Sequence, residues 1–76
     1  MKDLLKDLDR ITADPAVHGG RPVIRGTELT VNEVLRCLAT HESVPAVLEA
    51  YPQLTAEDVE QAIRYAAARA AQLFGE

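Results

Sequence analysis

The chain has no tryptophan, two tyrosines and one phenylalanine, so aromatics make up only 4% of it. Any core must therefore be built from Ala, Val, Leu and Ile, which supply most of the 47% hydrophobic content. Cys37 is the single cysteine, which excludes an intrachain disulfide and suggests no metal cluster. No apolar run approaches the roughly 20 residues of a membrane-spanning helix. The stretch from Met1 to Arg10 is too charged to read as a signal peptide. The expectation is a soluble cytoplasmic protein without a membrane partner. Nothing repeats, and no segment is of low complexity.

What is present is 76 residues, one domain near the lower size limit for independent folding. Such a domain without staples rarely exceeds about 3–5 kcal/mol of net stability, so a partner is expected. The net charge is −4 and unevenly placed. Residues 1–31 hold five basic and five acidic side chains, whereas residues 32–76 hold three and seven. The acidic excess belongs entirely to the second part.

The stretch from His18 to Thr30 organises the rest. It holds three of the four glycines and two arginines, and it has no helical period. Gly19-Gly20 signals a turn, because glycine accepts positive φ without a Cβ clash. Pro22 biases Arg21 towards extended geometry. Val23-Ile24 is a β-branched run broken at Gly26, and Leu29-Thr30-Val31 resumes the apolar character. This reads as strand, turn and short strand, a hairpin spanning 14–30 that needs cover from helices or from a second copy. Before it, Leu4, Leu5 and Leu8 give residues 1–13 the pattern of an amphipathic arm, with Lys2, Lys6 and Arg10 on the wet side. That arm is one or two helical turns or a partly ordered segment, followed by a short strand at Ile11-Thr12-Ala13.

Residues 31–76 read as three helices. Thr30 and Glu33 form a capping box for the first, whose apolar positions are Val31, Val34, Leu35 and Leu38. Ser43 caps the second, with Pro45 in its first turn and Pro52 at its end. Thr55 and Asp58 cap the third, in which Val59, Ile63, Ala66, Ala67, Ala70, Leu73 and Phe74 lie at helical spacing. The fold class is thus mainly α with a small N-terminal β-hairpin: a three-helix, helix-turn-helix, homeodomain-like domain. Ser43 to about Ala68 matches a helix-turn-helix in length and spacing, although any compact three-helix domain shares that spacing.

No nucleophile, base and orienting group occur together, and the two histidines have no metal spacing, so an enzyme and a bound cofactor are not expected. His18 reads as a surface turn residue, His41 as a helix-end cation and Cys37 as a small buried or half-buried side chain rather than a reactive thiol. Arg21 and Arg25 have two readings: salt bridges with Asp14 or Glu28 that fix the hairpin, or phosphate contacts along a positive edge. Arg64 is a third candidate phosphate contact. Glu49, Glu57, Asp58 and Glu60 either favour helix dipoles and solubility or form an acidic face for a basic partner.

Asp14-Pro15, the run Gly19 to Thr27, and Leu29-Thr30-Val31 closely resemble the signature of the family named domain of unknown function 433. Tyr51 to Val59 resembles that family's second block, so the likeness covers most of Ile11 to Ala68. The resemblance implies a small helix-turn-helix-like fold. It also implies an antitoxin-like role, since several members are assigned as antitoxins beside PIN-type ribonuclease toxins. A homodimer that represses its own operator DNA is the accompanying expectation, and the alternative is a homodimeric protein-interaction module that binds no DNA. Glu28 departs from the pattern, standing where family members usually carry arginine. That substitution speaks against a DNA-facing hairpin.

Overall fold

The computed structural model describes residues 7–75. Leu4 and Leu5 lie outside the described residues, and with them most of the expected arm. The elements run β1 (Ile11–Thr12), a 3₁₀ turn (His18–Gly20), β2 (Val23–Ile24), α1 (Val31–His41), α2 (Val44–Ala50) and α3 (Ala56–Phe74). The molecule is mainly helical, with a two-stranded antiparallel hairpin ahead of three helices.

The hairpin differs from the expected one in its partner strand. β2 pairs with β1, Ile11 opposite Ile24 and Thr12 opposite Val23, so the ladder reaches back beyond Asp14. The segment Leu29–Val31 joins through a single bridge between Val23 and Thr30. The reason is local. Val31 already begins α1, and extended Thr30 serves as its N-cap, which leaves too few residues for a strand. The turn between them follows the glycine signal. The Ile24 carbonyl accepts from the Thr27 amide at 3.0 Å and from Thr27 Oγ1 at 2.9 Å. Gly26 has φ +81°, the positive value that a type II turn requires at its third residue.

Each helix starts where capping chemistry places it. Thr30 Oγ1 accepts from the Glu33 amide, but the Glu33 carboxylate accepts from the Thr30 hydroxyl rather than closing the expected box on the backbone. Ser43 caps α2 through the Ala46 amide, with Pro45 in the first turn. Thr55 and Asp58 form a complete capping box on α3. Glu42 ends α1 in the left-handed region at φ 60°, and Gly75 does the same for α3.

One core joins these pieces. Leu8, Ile11, Ile24, Val31, Val34, Val47, Leu54, Val59 and Ala62 are buried together. Leu29, Leu35, Leu38 and Tyr51 pack against its edge; Ile24 lies in the core, Val23 is buried outside it, and Leu29 is only half-buried. The inward row of α3 also differs. It runs through Asp58, Val59, Gln61 and Ala62, whereas Ile63, Leu73 and Phe74 are exposed. The segment before β1 lies along the first turns of α3 and buries the side that carries Asp58 and Gln61. Ile63 consequently faces away.

Ile24 is fully buried, and truncation there leaves a cavity between the hairpin and the helices. Ile24→Ala is expected to cost about 2–4 kcal/mol in denaturant titration. The same change at exposed Ile63 should stay within about 0.5 kcal/mol.

Candidate interaction surfaces

The polar groups nearest the core form a clamp between the N-terminal segment and α3. Arg10 Nε donates to Asp58 Oδ1 at 2.6 Å, and its Nη2 donates to the Arg25 carbonyl at 3.0 Å. The Asp58 side chain is 1% exposed and that of Arg10 is 34% exposed. The second carboxylate oxygen of Asp58 accepts from the Thr55 amide at 2.9 Å. One turn on, buried Gln61 donates from Nε2 to Asp9 Oδ1 and Glu57 Oε2, at 2.7 and 2.8 Å. Its Oε1 accepts from the Arg10 amide at 2.8 Å. Both hydrogens and the oxygen of the amide are thus used, which fixes its orientation. The Gln61 hydrogen bond, assisted by the Arg10 and Arg25 charges, holds Asp9 below the usual carboxylate range despite desolvation. The hydrogen bond and charge of Asp58 raise the Arg10 guanidinium above its ordinary value.

Two expectations are corrected here. Arg10 does not line a wet side with Lys2 and Lys6; it is the partner of a buried acid. Asp58 does not belong to an acidic face, because both of its oxygens are spent inside the fold. Spacing placed Asp58 as a cap, but the cation facing it comes from 48 positions earlier in the chain.

The arginines weighed for phosphate contact stand on separate elements. Arg25 is exposed, yet its Nε donates to the Asp9 carbonyl at 2.6 Å, and neither Asp14 nor Glu28 holds it. Asp14 instead caps the turn after it through the Ala16 amide. Arg21 is exposed and borders a small cleft with Pro22, Thr30 and Asn32. Arg64 pairs with Glu60 one turn earlier on α3, both side chains being about half exposed. A pair that open contributes roughly 0–1 kcal/mol.

The remaining carboxylates face water. Glu49 on α2 is exposed, as are Glu57 and Glu60 in the first turns of α3. Glu57 is engaged by Gln61 and Glu60 by Arg64. Two concavities flank these helices. A cleft of about 410 Å³ between α1 and α2 is edged by Glu33, Cys37, His41 and Tyr51. Among the described residues no group of three His, Cys, Asp or Glu side chains is placed to hold a metal ion. A second groove, of about 300 Å³, runs between the end of α3 and the start of α1. Among the described residues its walls are apolar except for Asn32, Arg69 and the hydroxyl of Tyr65. Sequence reasoning placed Leu73 and Phe74 on one long apolar face of the last helix and did not single out this groove. A usable signal was length: α3 has 19 residues, against 11 and 7 in the helices it packs on, so its last turns outrun them.

A family model described as protein of unknown function (DUF433) matches residues 11–66. An uncharacterized protein of Sinorhizobium fredii, y4eO, is 40% identical over 68 residues. That match covers 90% of this chain but 31% of the relative, so the chain spans about a third of the relative's length. No solved structure matches. No helix among the described residues is long and apolar enough to cross a membrane.

Removing the Asp58 carboxylate opens the capping box, leaving the Thr55 amide without its acceptor, and deprives Arg10 of its carboxylate partner. Asp58→Ala is expected to cost about 2–4 kcal/mol, below the extreme for a buried pair because Arg10 keeps access to water. A double-mutant cycle with Arg10→Ala in urea should return a favourable coupling. Asp9 gives a pH dependence of defined sign. Its depressed value in the fold means a contribution present above about pH 4 and lost as pH falls below that. Arg10, raised in the fold, contributes fully throughout the neutral range and loses its contribution only at strongly alkaline pH. The fall in urea midpoint between neutral pH and pH 3 should therefore be smaller in Asp9→Asn than in the unaltered chain.

Proposed function

The chain belongs to the DUF433 family, and we propose for it an antitoxin-like role: it binds a basic protein partner, a PIN-type ribonuclease, through the acidic surface of α2 and α3. The observation that carries this reading is the way charge is divided between interior and surface. Arg10 is committed to Asp58, and Arg25 in part to the Asp9 carbonyl. Glu49, Glu57 and Glu60 remain on the surface of a molecule of net charge −4. A nuclease that cleaves RNA needs a positive groove for its substrate, and an acidic helix surface is the electrostatic complement of such a groove. Inhibition then follows from occupancy of the groove, without chemistry on the antitoxin. The cellular setting of this reading is the cytoplasm.

DNA binding is subordinate in this reading. The order of α2, a short turn and α3 suits a helix-turn-helix. Yet the first turns of α3, the end that meets base edges in such motifs, carry Glu57 and Glu60. Arg64 is tied to Glu60. Operator binding would rest on Arg21, Arg25 and Arg64 from two copies, and would be weak and steeply dependent on salt.

The test is inhibition of the nuclease encoded beside this chain. Glu49→Lys with Glu60→Lys should weaken inhibition at least about tenfold while the melting curve stays close to that of the parent, and added salt should slow association of the parent. Undiminished inhibition by the folded double variant would overturn the reading. On the operator, replacing Arg21, Arg25 and Arg64 with alanine together should abolish any measurable shift of upstream DNA.

A further inference from the structure

The groove at the end of α3 plays no part in the acidic surface. Leu73 and Phe74 are 63% and 74% exposed, and they project beside half-buried Ala66 and Ala70. Opposite them stand Pro22 and Leu35. A single short stretch thus offers both large apolar side chains and the hollow that such side chains fill. In a two-fold contact the same patch lies on both sides, so a patch that carries knob and hole together is self-complementary. Small residues at Ala66 and Ala70 let two helix backbones approach closely.

Charge narrows the choice of occupant. Among the described residues the groove lining holds no carboxylate, and its one charged residue, Arg69, is an exposed side chain that donates to Gln72. A basic partner finds nothing there to pair with. Two copies of an acidic chain, by contrast, must meet where neither presents a carboxylate, since like charges brought together cost stability. We propose that this groove seats a second copy of the chain, the last turns of α3 crossing their counterparts antiparallel, with Leu73 and Phe74 of each protomer lying in the groove of the other. The patch is small, so the dimer is concentration-dependent rather than obligate. Because two net charges of −4 repel, added salt strengthens this contact. That is the opposite of its effect on association with a basic partner.

Sedimentation equilibrium from low micromolar to several hundred micromolar tests it. The expected result is a mass rising to twice that of the chain, with higher salt moving the midpoint to lower concentration. Leu73→Glu with Phe74→Glu should move the midpoint at least about tenfold upward. Both side chains are largely exposed, so the fold, followed by circular dichroism, should persist. In a Cys37→Ser background, Ala70→Cys should cross-link to its own copy on mild oxidation, whereas Ala39→Cys on exposed α1 should not. A monomer throughout the range overturns the proposal. So does a dimer that the glutamates leave intact, or one that Ala70→Cys fails to cross-link. Nuclease inhibition read on the Leu73→Glu, Phe74→Glu variant keeps the two readings apart. A monomer that still inhibits leaves the acidic-surface role standing by itself.

Discussion

Asp58 in the first turn of α3 meets three demands with one carboxylate. One oxygen closes the capping box with Thr55 and the other receives the Arg10 guanidinium. Through Arg10 it also holds the strand-bearing N-terminal segment against the helix. A buried carboxylate without a cation would be a serious liability in so small a domain, because the effective desolvation penalty is several kcal/mol per ion. Here no buried side-chain nitrogen or oxygen among the described residues lacks a partner. The same guanidinium reaches the Arg25 carbonyl, so one side chain ties together α3, the segment before β1 and the end of β2. The register that sets Ile11 opposite Ile24 also joins Arg10 and Arg25 at the backbone, the Arg25 amide donating to the Arg10 carbonyl at 2.7 Å.

Much of this fold is written locally. Thr30, Ser43 and Thr55 mark three helix starts, Pro45 and Pro52 bracket α2, and Gly26 marks the turn, because capping and turn chemistry act over three or four residues. Long-range choices are less legible. Val23-Ile24 had two candidate partner strands, and the decision rested on Thr30 being taken by α1 as its cap. The rotation of α3 was likewise hidden. Its apolar periodicity runs on through Ile63, but the helix face is set by Asp58 and Gln61, polar residues whose burial depends on a partner far away in sequence. Polar residues that turn inward do so in response to a specific neighbour, and a hydrophobic period cannot register that neighbour. Of the residues weighed as sites, the exposed glutamates and arginines kept to the surface, and Asp58 alone moved inside.

The internal use of arginine also shapes the exterior. Residues 1–31 balance their charges in composition, yet Arg10 is withdrawn to neutralise Asp58, an acid of the other part of the chain. That pairing leaves residues 32–76 less acidic at the surface by one charge, and the N-terminal part less basic by one. The positive edge suggested by the arginine-rich hairpin is therefore thinner than its composition implies. Glu28 lies exposed on the same turn and reduces it further. A molecule arranged in this way is poorly suited to holding a phosphate backbone by net attraction, and better suited to meeting a positively charged protein surface.

Apolar and acidic surfaces also occupy different parts of α3. Its first turns are acidic and docked on the clamp, whereas its last turns outrun the core and end in Leu73 and Phe74. A helix of 19 residues extends about 28 Å, so its two ends can be occupied without one partner displacing the other. Self-association at one end would hold two acidic surfaces in a fixed relation. A partner that bound both would then gain from the second contact as an intramolecular event. Weak individual contacts, which is all that a small domain poor in aromatics can offer, become sufficient under that arrangement. The separation of the two surfaces along one helix is what allows it.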